Sequence, residues 1–422
     1  MTDRVVPLRH NRDFLLLWSG SAVSILGSRA SGMAYPLLVL ALTGSIVDAG
    51  LVGFVTMLPV LLFQIPAGML VDLWDRKRVM IWCDVLRALV ITTIVVAVLA
   101  DRLTLPHILL VGIVEATLSV AHGLAASAAV PNVVHSSQLT VALSRNEARE
   151  RGAMMLGQPL GGILFGIGRA VPFLFDVVSY LVSLVTLLLI RKDFQTERTG
   201  ERKRMRTELT EGVRWLLRQP FLRTTTILVA GSNLLFQALF LTVIVLAGNI
   251  GATPGAIGLM FGIASVGGVL GSLVAPAAER RLSMKVVVIG VNWVWALMVP
   301  VILLVRDPYL LGAVYALMCF VGPVWNVVIS AYQLAITPDR IQGRVIGAAS
   351  MVAFGAIPVG SLVGGLLLGS VGARTTVWIL AVFMVFIATV ATVNRAIRAA
   401  PSLGSLESKS TNTELSHTKE NV

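Results

Sequence analysis

Long apolar segments alternate with short polar connectors along almost the whole chain. Twelve such segments lie at about 14–41, 48–72, 79–100, 105–131, 139–168, 171–190, 223–250, 255–278, 285–305, 309–332, 342–369 and 374–397. Each is close to or longer than the ~20 apolar residues that a helix needs to cross the hydrocarbon core. A helix also satisfies every backbone polar group without water. The pattern therefore predicts an all-α membrane protein with twelve transmembrane helices.

The connectors differ in charge from one side of the predicted membrane to the other. On one side they contain only Arg102, Arg169, Arg306 and Arg374, while most of the 34 lysines and arginines fall in the connectors and termini of the other side. Cytoplasmic loops of membrane proteins carry the excess of Lys and Arg. Both termini are therefore expected in the cytoplasm, with the chain crossing the plasma membrane many times.

Composition supports this class of protein. Of 422 residues, 56% are hydrophobic and only 13% charged, and the mean hydropathy is +0.84. The net charge of +12 would suggest nucleic acid as a partner in a soluble protein, but here orientation explains it and no nucleic-acid partner is expected. Cys83 and Cys319 lie within apolar spans, where they are expected to be unpaired core residues.

The longest polar interruption, 191–222, divides the chain into six spans and six spans. Gly50 and Gly53 open span 2 as Gly255 and Gly258 open span 8, which suggests two pseudo-symmetric six-helix bundles. An apolar stripe over 207–218 predicts an amphipathic helix within the interruption, either on the inner membrane face or solvated. The predicted domains are a first bundle at 1–190, the linker at 191–222, a second bundle at 223–397 and a disordered cytoplasmic tail at 398–422.

A charged connector between spans 2 and 3 contains the most informative motif. Its key residues are Gly68, Asp72, Arg76, Lys77 and Arg78. Asp72 stands at a helix end, where the cations can reach its carboxylate or neighbouring helix-end carbonyls. We interpret the connector as a cytoplasmic gate; the alternative is a loop that only sets topology.

This connector resembles the loop between helices 2 and 3 of the major facilitator superfamily. Leu73 and Asp75 depart from the pattern, where Arg and Gly are usual. The cytoplasmic connector before span 11, with Arg344, also resembles that superfamily. In span 5, Gly157, Pro159, Gly161 and Gly162 resemble the helix-packing motif of its exporters, although Gln158 separates the glycine and proline.

Together these motifs match best the drug-exporter branch that includes macrolide-efflux and enterobactin-exporter proteins. The resemblance implies the major facilitator fold, alternating access and proton-driven export. The family usually has an arginine in helix 4 for proton coupling, and span 4 has none.

Ionisable residues inside spans are costly and usually face a cavity or a partner. Glu115 and His122 in span 4 and Arg29 in span 1 are the proton-coupling candidates, with Arg29 as the expected electrostatic partner of Glu115. The alternatives are a static Arg29–Glu115 pair and a packing role for His122. Asp84 and Arg87, three residues apart in span 3, are expected to form a structural pair.

The second half offers candidates for a substrate cavity, namely Asn233, Gln237, Trp325, Asn326 and Phe354. Amide and aromatic side chains suit a large amphipathic molecule. No catalytic constellation, metal-ligand cluster or nucleotide-binding loop is found, so neither an enzyme nor a cofactor is expected. The family resemblance implies a proton gradient as the energy source. We predict a monomeric secondary transporter that exports a hydrophobic drug or natural product, macrolide-like or siderophore-like. The alternatives are a metabolite uniporter or symporter and a non-transporting receptor.

Overall fold

The computed structural model describes residues 6–194, 205–338 and 341–399, with the backbone alone at 65, 66, 68–70, 72 and 205–210. The described residues form thirteen α-helices: α1 Arg12–Thr43, α2 Ile46–Leu73, α3 Arg76–Leu99, α4 Leu105–Val133, α5 Leu139–Ile167, α6 Val171–Leu189, α7 Met205–Arg218, α8 Pro220–Asn249, α9 Pro254–Arg281, α10 Met284–Val301, α11 Pro308–Ile336, α12 Gln342–Val393 and α13 Arg395–Arg398. The tail predicted to be disordered lies, beyond Ala399, outside this part of the chain.

Ten of these helices are long and apolar enough to cross a membrane. The number agrees with twelve predicted spans for two reasons. First, α12 is 52 residues long and contains Gly372 with φ of 76°, a non-helical conformation that separates two spans; this left-handed region costs a glycine little. Second, α5 has an apolar C-terminal half but a charged N-terminal half, so its average hydropathy is low.

Side chains fix where several helices begin. The Asn11 Oδ1 atom accepts a hydrogen bond from the Phe14 amide at 3.1 Å. Asp75 does the same for the amide of Arg78 at 2.9 Å and so starts α3. Such N-caps satisfy amides that have no partner within the helix. Asp75 is one of the two departures from the superfamily pattern, and this cap gives it a structural role.

The chain divides into two compact units. The described residues of the first fall within Met1–Gly200, Ile244–Gly262 and Ser361–Ser370, and those of the second within Glu201–Val243, Ile263–Gly360 and Val371–Val422. In the first unit α1 packs against α5 and α6, α3 against α4 and α6, and α2 against α4. The domain boundaries at 190 and 223 stay a prediction.

A buried apolar cluster packs together one end of the helices of the first unit. Phe14 of α1, Met80 of α3, Val133 of α4 and Leu187 of α6 are at most 1% exposed and belong to it. Elsewhere large apolar side chains are exposed on the helices, such as Leu99 at 74% and Leu273 at 72%. An apolar surface of this kind suits helices that face lipid.

Candidate functional site

A cluster of ionisable and hydroxyl side chains lies buried inside the first unit. Its centre is an ion pair in which Arg87 Nη2 lies 3.1 Å from Glu115 Oε1. The side chain of Arg87 is 3% exposed and that of Glu115 is 15% exposed. The same nitrogen donates to Ser28 Oγ and Tyr180 Oη, each at 2.9 Å. The guanidinium carbon also lies 4.0 Å from the centre of the Tyr180 ring, where a cation is attracted to the ring.

Helical spacing explains why four helices deliver polar groups to one place. Residues three, four or seven apart share a helix face. The polar stripes of this cluster are Ser24, Ser28 and Ser31 on α1, Asp84 and Arg87 on α3, Glu115, Ser119 and His122 on α4, and Asp176, Tyr180 and Ser183 on α6. Because α1 and α3 pack on α6, and α3 packs on α4, the stripes converge in the interior.

Sequence reasoning missed Asp176, which is 0% exposed. Its Oδ2 atom accepts a hydrogen bond from Ser31 Oγ at 2.6 Å and lies 3.2 Å from Tyr180 Oη. Tyr180 Oη is also 3.0 Å from Glu115 Oε1, so one phenol links two carboxyl groups. The signal was present in the sequence, because an aspartate inside an apolar span requires a partner and Tyr180 follows it by one turn.

Glu115 does not make its hydrogen bond with Arg29, the residue expected as its electrostatic partner. The pair is formed by Arg87 instead, and Arg29 interacts with Glu150 and Glu115 only through longer-range electrostatics. The residue as a whole is exposed. The rotation of α1 about its axis accounts for the difference, since Ser28 and Ser31 point toward the cluster and Arg29 lies beside Gly157 of α5.

Asp84 and His122 form a second, poorly satisfied part of the cluster. His122 Nε2 lies 3.3 Å from Asp84 Oδ1, and Arg87 Nη1 lies 3.9 Å from the same oxygen. Asp84 is 0% exposed. Neither carboxyl oxygen of Asp84 nor the Nε2 atom of His122 makes a hydrogen bond within the described residues. The expected Asp84–Arg87 contact thus exists only as a long ion pair.

The cations of the predicted gate bind helix-end carbonyls. Arg76 Nη1 donates to the carbonyl of Ala128 at 2.8 Å, and Lys77 Nζ donates to that of Ile190 at 2.6 Å. These bonds connect the start of α3 to the C-terminal part of α4 and to the C-cap residue of α6. Arg78 is exposed. Gly68 and Asp72 belong to α2, but the side chain of Asp72 lies outside the described part.

The other gate candidate, Arg344, lies in the second unit. Its Nη1 atom pairs with Glu211 Oε2 of α7, and Gly212 leaves room for the backbone of Arg344. The helix expected over 207–218 is therefore attached to the first turn of α12. The neighbouring residues Asp339 and Arg340 lie outside the described residues.

The glycine motif of α5 faces two different helices. A Cβ atom added at Gly157 would collide with Arg29, and one at Gly161 with the Ala30 carbonyl, so both glycines allow α1 to approach. A Cβ atom at Gly162 would instead lie 2.5 Å from the Cα atom of Gly258 in α9. Small residues permit such close crossings of membrane helices.

The second unit contains a cavity of about 200 Å³. Three substrate candidates line it, Asn233, Trp325 and Asn326, together with the aromatic residues Phe236 and Trp295, which sequence reasoning missed. Phe236 and Trp295 meet edge to face with ring centres 4.9 Å apart.

Two substrate candidates are not part of this lining. Gln237 lies one turn beyond Asn233, and Phe354 is 60% exposed.

Solved transporter structures share this fold. A crystal structure of a variant of the nucleoside transporter NupG matches with a TM-score of 0.74 and 14% identity, covering 90% of this chain and 98% of that chain. An inward-facing bacterial homologue of the iron transporter ferroportin matches with a TM-score of 0.72 and 16% identity, over 92% and 98%. The fold is that of a multi-pass membrane transporter of the major facilitator type.

The family can be stated more narrowly. The model of the transmembrane secretion effector family of the major facilitator superfamily matches residues 2–419, and the chain belongs to that family. Among curated relatives, the multidrug efflux pump Tap of Mycolicibacterium fortuitum is 24% identical, covering 88% of this chain and 93% of its own. Macrolide efflux protein A of Streptococcus pyogenes is 23% identical over 42% of this chain and 44% of its own.

Proposed function

We propose that the protein exports hydrophobic or amphipathic drugs or natural products from the cytoplasm in exchange for protons. The buried Arg87–Glu115 pair is the observation that carries this proposal. Two of the relatives are named as multidrug and macrolide efflux proteins, and they support the substrate class.

Glu115 suits the role of proton carrier because its side chain is paired with Arg87 and is still partly exposed to solvent. Its side chain is 15% exposed, whereas that of Arg87 is 3% exposed. Proton uptake by Glu115 would cancel its attraction for Arg87 and leave a cation to find another partner in a buried environment. A charge that loses its partner in such a place is strongly unfavourable. Protonation can therefore drive a rearrangement of α3 against α4.

The cavity of the second unit supports the substrate class. Trp325, Trp295 and Phe236 provide apolar walls, and Asn233 and Asn326 provide amide groups. The Asn233 amide donates to the carbonyl of Ala353 at 2.8 Å, which holds it in place. No Asp, Glu, Lys or Arg is part of this lining. A space of about 200 Å³ suits one ring system of a larger uncharged molecule rather than a whole macrolide.

Alternating access requires contacts that form in one state and separate in another. Close crossings within the first unit are candidates for such contacts. Gly162 of α5 meets Gly258 of α9, and Gly50 of α2 meets Gly365 of α12. With both termini in the cytoplasm, these crossings lie toward the outer face.

At the cytoplasmic end, the bonds of Arg76 and Lys77 hold α3 to α4 and α6. The transporter functions as a monomer.

Flux measurements in proteoliposomes test the function. Wild-type protein is expected to move a radiolabelled macrolide against its gradient only when a pH gradient is imposed. Glu115→Gln should lose this driven flux and keep exchange of labelled for unlabelled macrolide. His107→Gln is the matched control, since His107 begins the same helix and bonds to Thr93 away from the cluster. Equal macrolide flux with and without the gradient would indicate a uniporter and overturn the proposal.

A further inference from the structure

The Asp84–His122 contact is the least satisfied buried polar contact of the first unit's ionic cluster. Asp84 is fully buried, and both of its carboxyl oxygens lack hydrogen bonds among the described residues, as does Nε2 of His122. The two groups lie 3.3 Å apart on α3 and α4. Buried polar atoms without hydrogen bonds are uncommon in native proteins, and each one calls for an explanation.

Burial limits the charge that this contact can hold. An ionised Asp84 beside a neutral imidazole would have only a long ion pair to offset its charge, with an Arg87 that is hydrogen-bonded to Glu115, and a poorly compensated buried charge is disfavoured. Two arrangements avoid it, either a protonated Asp84 beside a neutral His122 or an ionised Asp84 beside a protonated His122. Both arrangements contain one proton more than the bare carboxylate and neutral imidazole. A contact with this geometry is satisfied by holding one proton.

Arg87 is close enough to replace that proton. Its Nη1 atom lies 3.9 Å from Asp84 Oδ1, while its Nη2 atom lies 3.1 Å from Glu115 Oε1. One guanidinium thus stands between two carboxyl groups and makes a hydrogen bond to only one of them. A shift of roughly 1 Å would bring Nη1 within hydrogen-bond distance of Asp84, and loss of the charge on Glu115 would weaken the bond from Nη2.

We propose that Asp84 and His122 form a second proton-binding site, coupled to Glu115 through Arg87. In the arrangement described here Glu115 is ionised and paired with Arg87, and the Asp84–His122 contact holds the proton. In the other arrangement Glu115 is protonated, Arg87 pairs with ionised Asp84, and His122 is neutral. Each arrangement contains one proton among the three groups, so the exchange of Arg87 moves a proton between the two sites without creating or consuming one.

The order of the sites along α4 gives this exchange a direction. Glu115 and His122 are seven residues apart, which is about 10 Å along a helix. In the predicted topology α4 runs from the outer face to the cytoplasm, so His122 lies on the cytoplasmic side of Glu115. A proton taken up by Glu115 and passed to Asp84–His122 would thus move inward, as export in exchange for protons requires. The inference rests on the proposed function in this respect.

Other titratable groups surround the two sites and are expected to keep their roles. They are Tyr35 and Arg29 on α1, Cys83 on α3, and Asp176 and Tyr180 on α6. Asp176 already accepts a hydrogen bond from Ser31, whereas neither carboxyl oxygen of Asp84 has one among the described residues. Tyr180 donates to one carboxyl group at a time and can follow the charge of Glu115.

The first experiment tests the position of Arg87 directly. Glu115→Gln imitates protonated Glu115, and its structure by cryo-electron microscopy should show Arg87 within about 2.7–3.2 Å of Asp84. Arg87 remaining on the introduced glutamine, with Asp84 still unbonded, would overturn the proposal. This readout does not depend on transport activity.

The second experiment compares driven and undriven transport in proteoliposomes of the full chain. Asp84→Asn and His122→Gln are each expected to lower macrolide flux driven by a pH gradient by about tenfold or more, with macrolide exchange at equal pH retained. His107→Gln should leave both unchanged. Equal losses of driven flux and exchange would indicate a purely structural contact and overturn the relay, as would full driven flux in either variant. Wild-type protein without driven flux would refute the proposed function instead, and the Glu115→Gln structure would still decide the relay.

Discussion

The crossing of α5 and α9 provides a sharp steric test of the account. A Cβ atom at Gly162 would lie 2.5 Å from Gly258 Cα and 2.7 Å from both the Gly258 nitrogen and the Pro254 carbonyl oxygen. Ordinary contacts between carbon atoms are about 3.5–4.0 Å. Gly162→Ala therefore requires the two backbones to separate by about 1 Å, and no flexible side chain is present there to absorb the change.

The free-energy cost of Gly162→Ala applies only to conformational states in which α5 and α9 cross this closely. Overpacking of this kind costs about 1–3 kcal/mol. If the crossing forms in only one of the alternating states, the cost applies to that state alone and shifts the equilibrium by about 5–150-fold. Gly166→Ala is the matched control, because a Cβ atom there would lie 3.5 Å from the Gly255 nitrogen, an ordinary contact.

Spin labels at the ends of the two helices measure the shift. Arg169 and Thr253 are exposed beside α5 and α9 and can be replaced by cysteine after Cys83 and Cys319 are removed. Distances from pulsed electron resonance should lengthen in Gly162→Ala and match the parent protein in Gly166→Ala. The reasoning fails if Gly162→Ala leaves the distance distribution unchanged, because the steric clash would then have been absorbed without separating the helices.

Two further predictions concern the Lys77 contact at the start of α3 and the lining of the second-unit cavity. Lys77→Met removes the bond to the Ile190 carbonyl and should cost about 1.5–3 kcal/mol. Its melting temperature in detergent should fall, and Arg78→Met, at an exposed cation, should change it much less; equal melting temperatures would refute a clamping role for Lys77. Asn326→Ala removes an amide from the cavity of the second unit and should weaken macrolide binding about fivefold, as the loss of one hydrogen bond of about 1 kcal/mol implies. Unchanged affinity in a binding titration would place the substrate elsewhere.

The fold was predictable because each span is long and apolar, and because charge is concentrated in the connectors. The division of α12 shows that the number of spans could be predicted even where the sequence has almost no connector. The sequence predicts two spans across 342–397, and the structure has one long helix broken at Gly372. The polar connector between these spans is so short that a single glycine conformation accomplishes the turn.

The partners within the ionic cluster were less predictable. Glu115, His122, Asp84 and Arg87 were identified because ionisable groups inside a span need partners. The hydrogen-bonded pair of Glu115 is with Arg87, whereas Arg29, expected as its electrostatic partner, interacts with Glu115 only at longer range. Pairing depends on the rotation of α1 about its axis, which is set by packing against α5 and α6.

The substrate cavity shows the same dependence on rotation. Asn233, Trp325 and Asn326 share its lining, but Gln237 and Phe354 do not. All five were chosen as polar or aromatic residues in the spans of the second half. The packing of α8 and α11 with α10 determines which of the five line the cavity, and it also places Trp295 there.

Coupled movement of substrate and protons tests the central claim most directly. Vesicles containing the transporter and a pH-sensitive dye are loaded with macrolide and diluted into macrolide-free buffer at the same pH. Macrolide leaving the vesicle should draw protons in and acidify the interior for the wild type and for His107→Gln, whichever way the protein is inserted. Glu115→Gln should release macrolide without acidification. Macrolide release by the wild type without any change in internal pH, or acidification that persists in Glu115→Gln, would contradict proton exchange through Glu115.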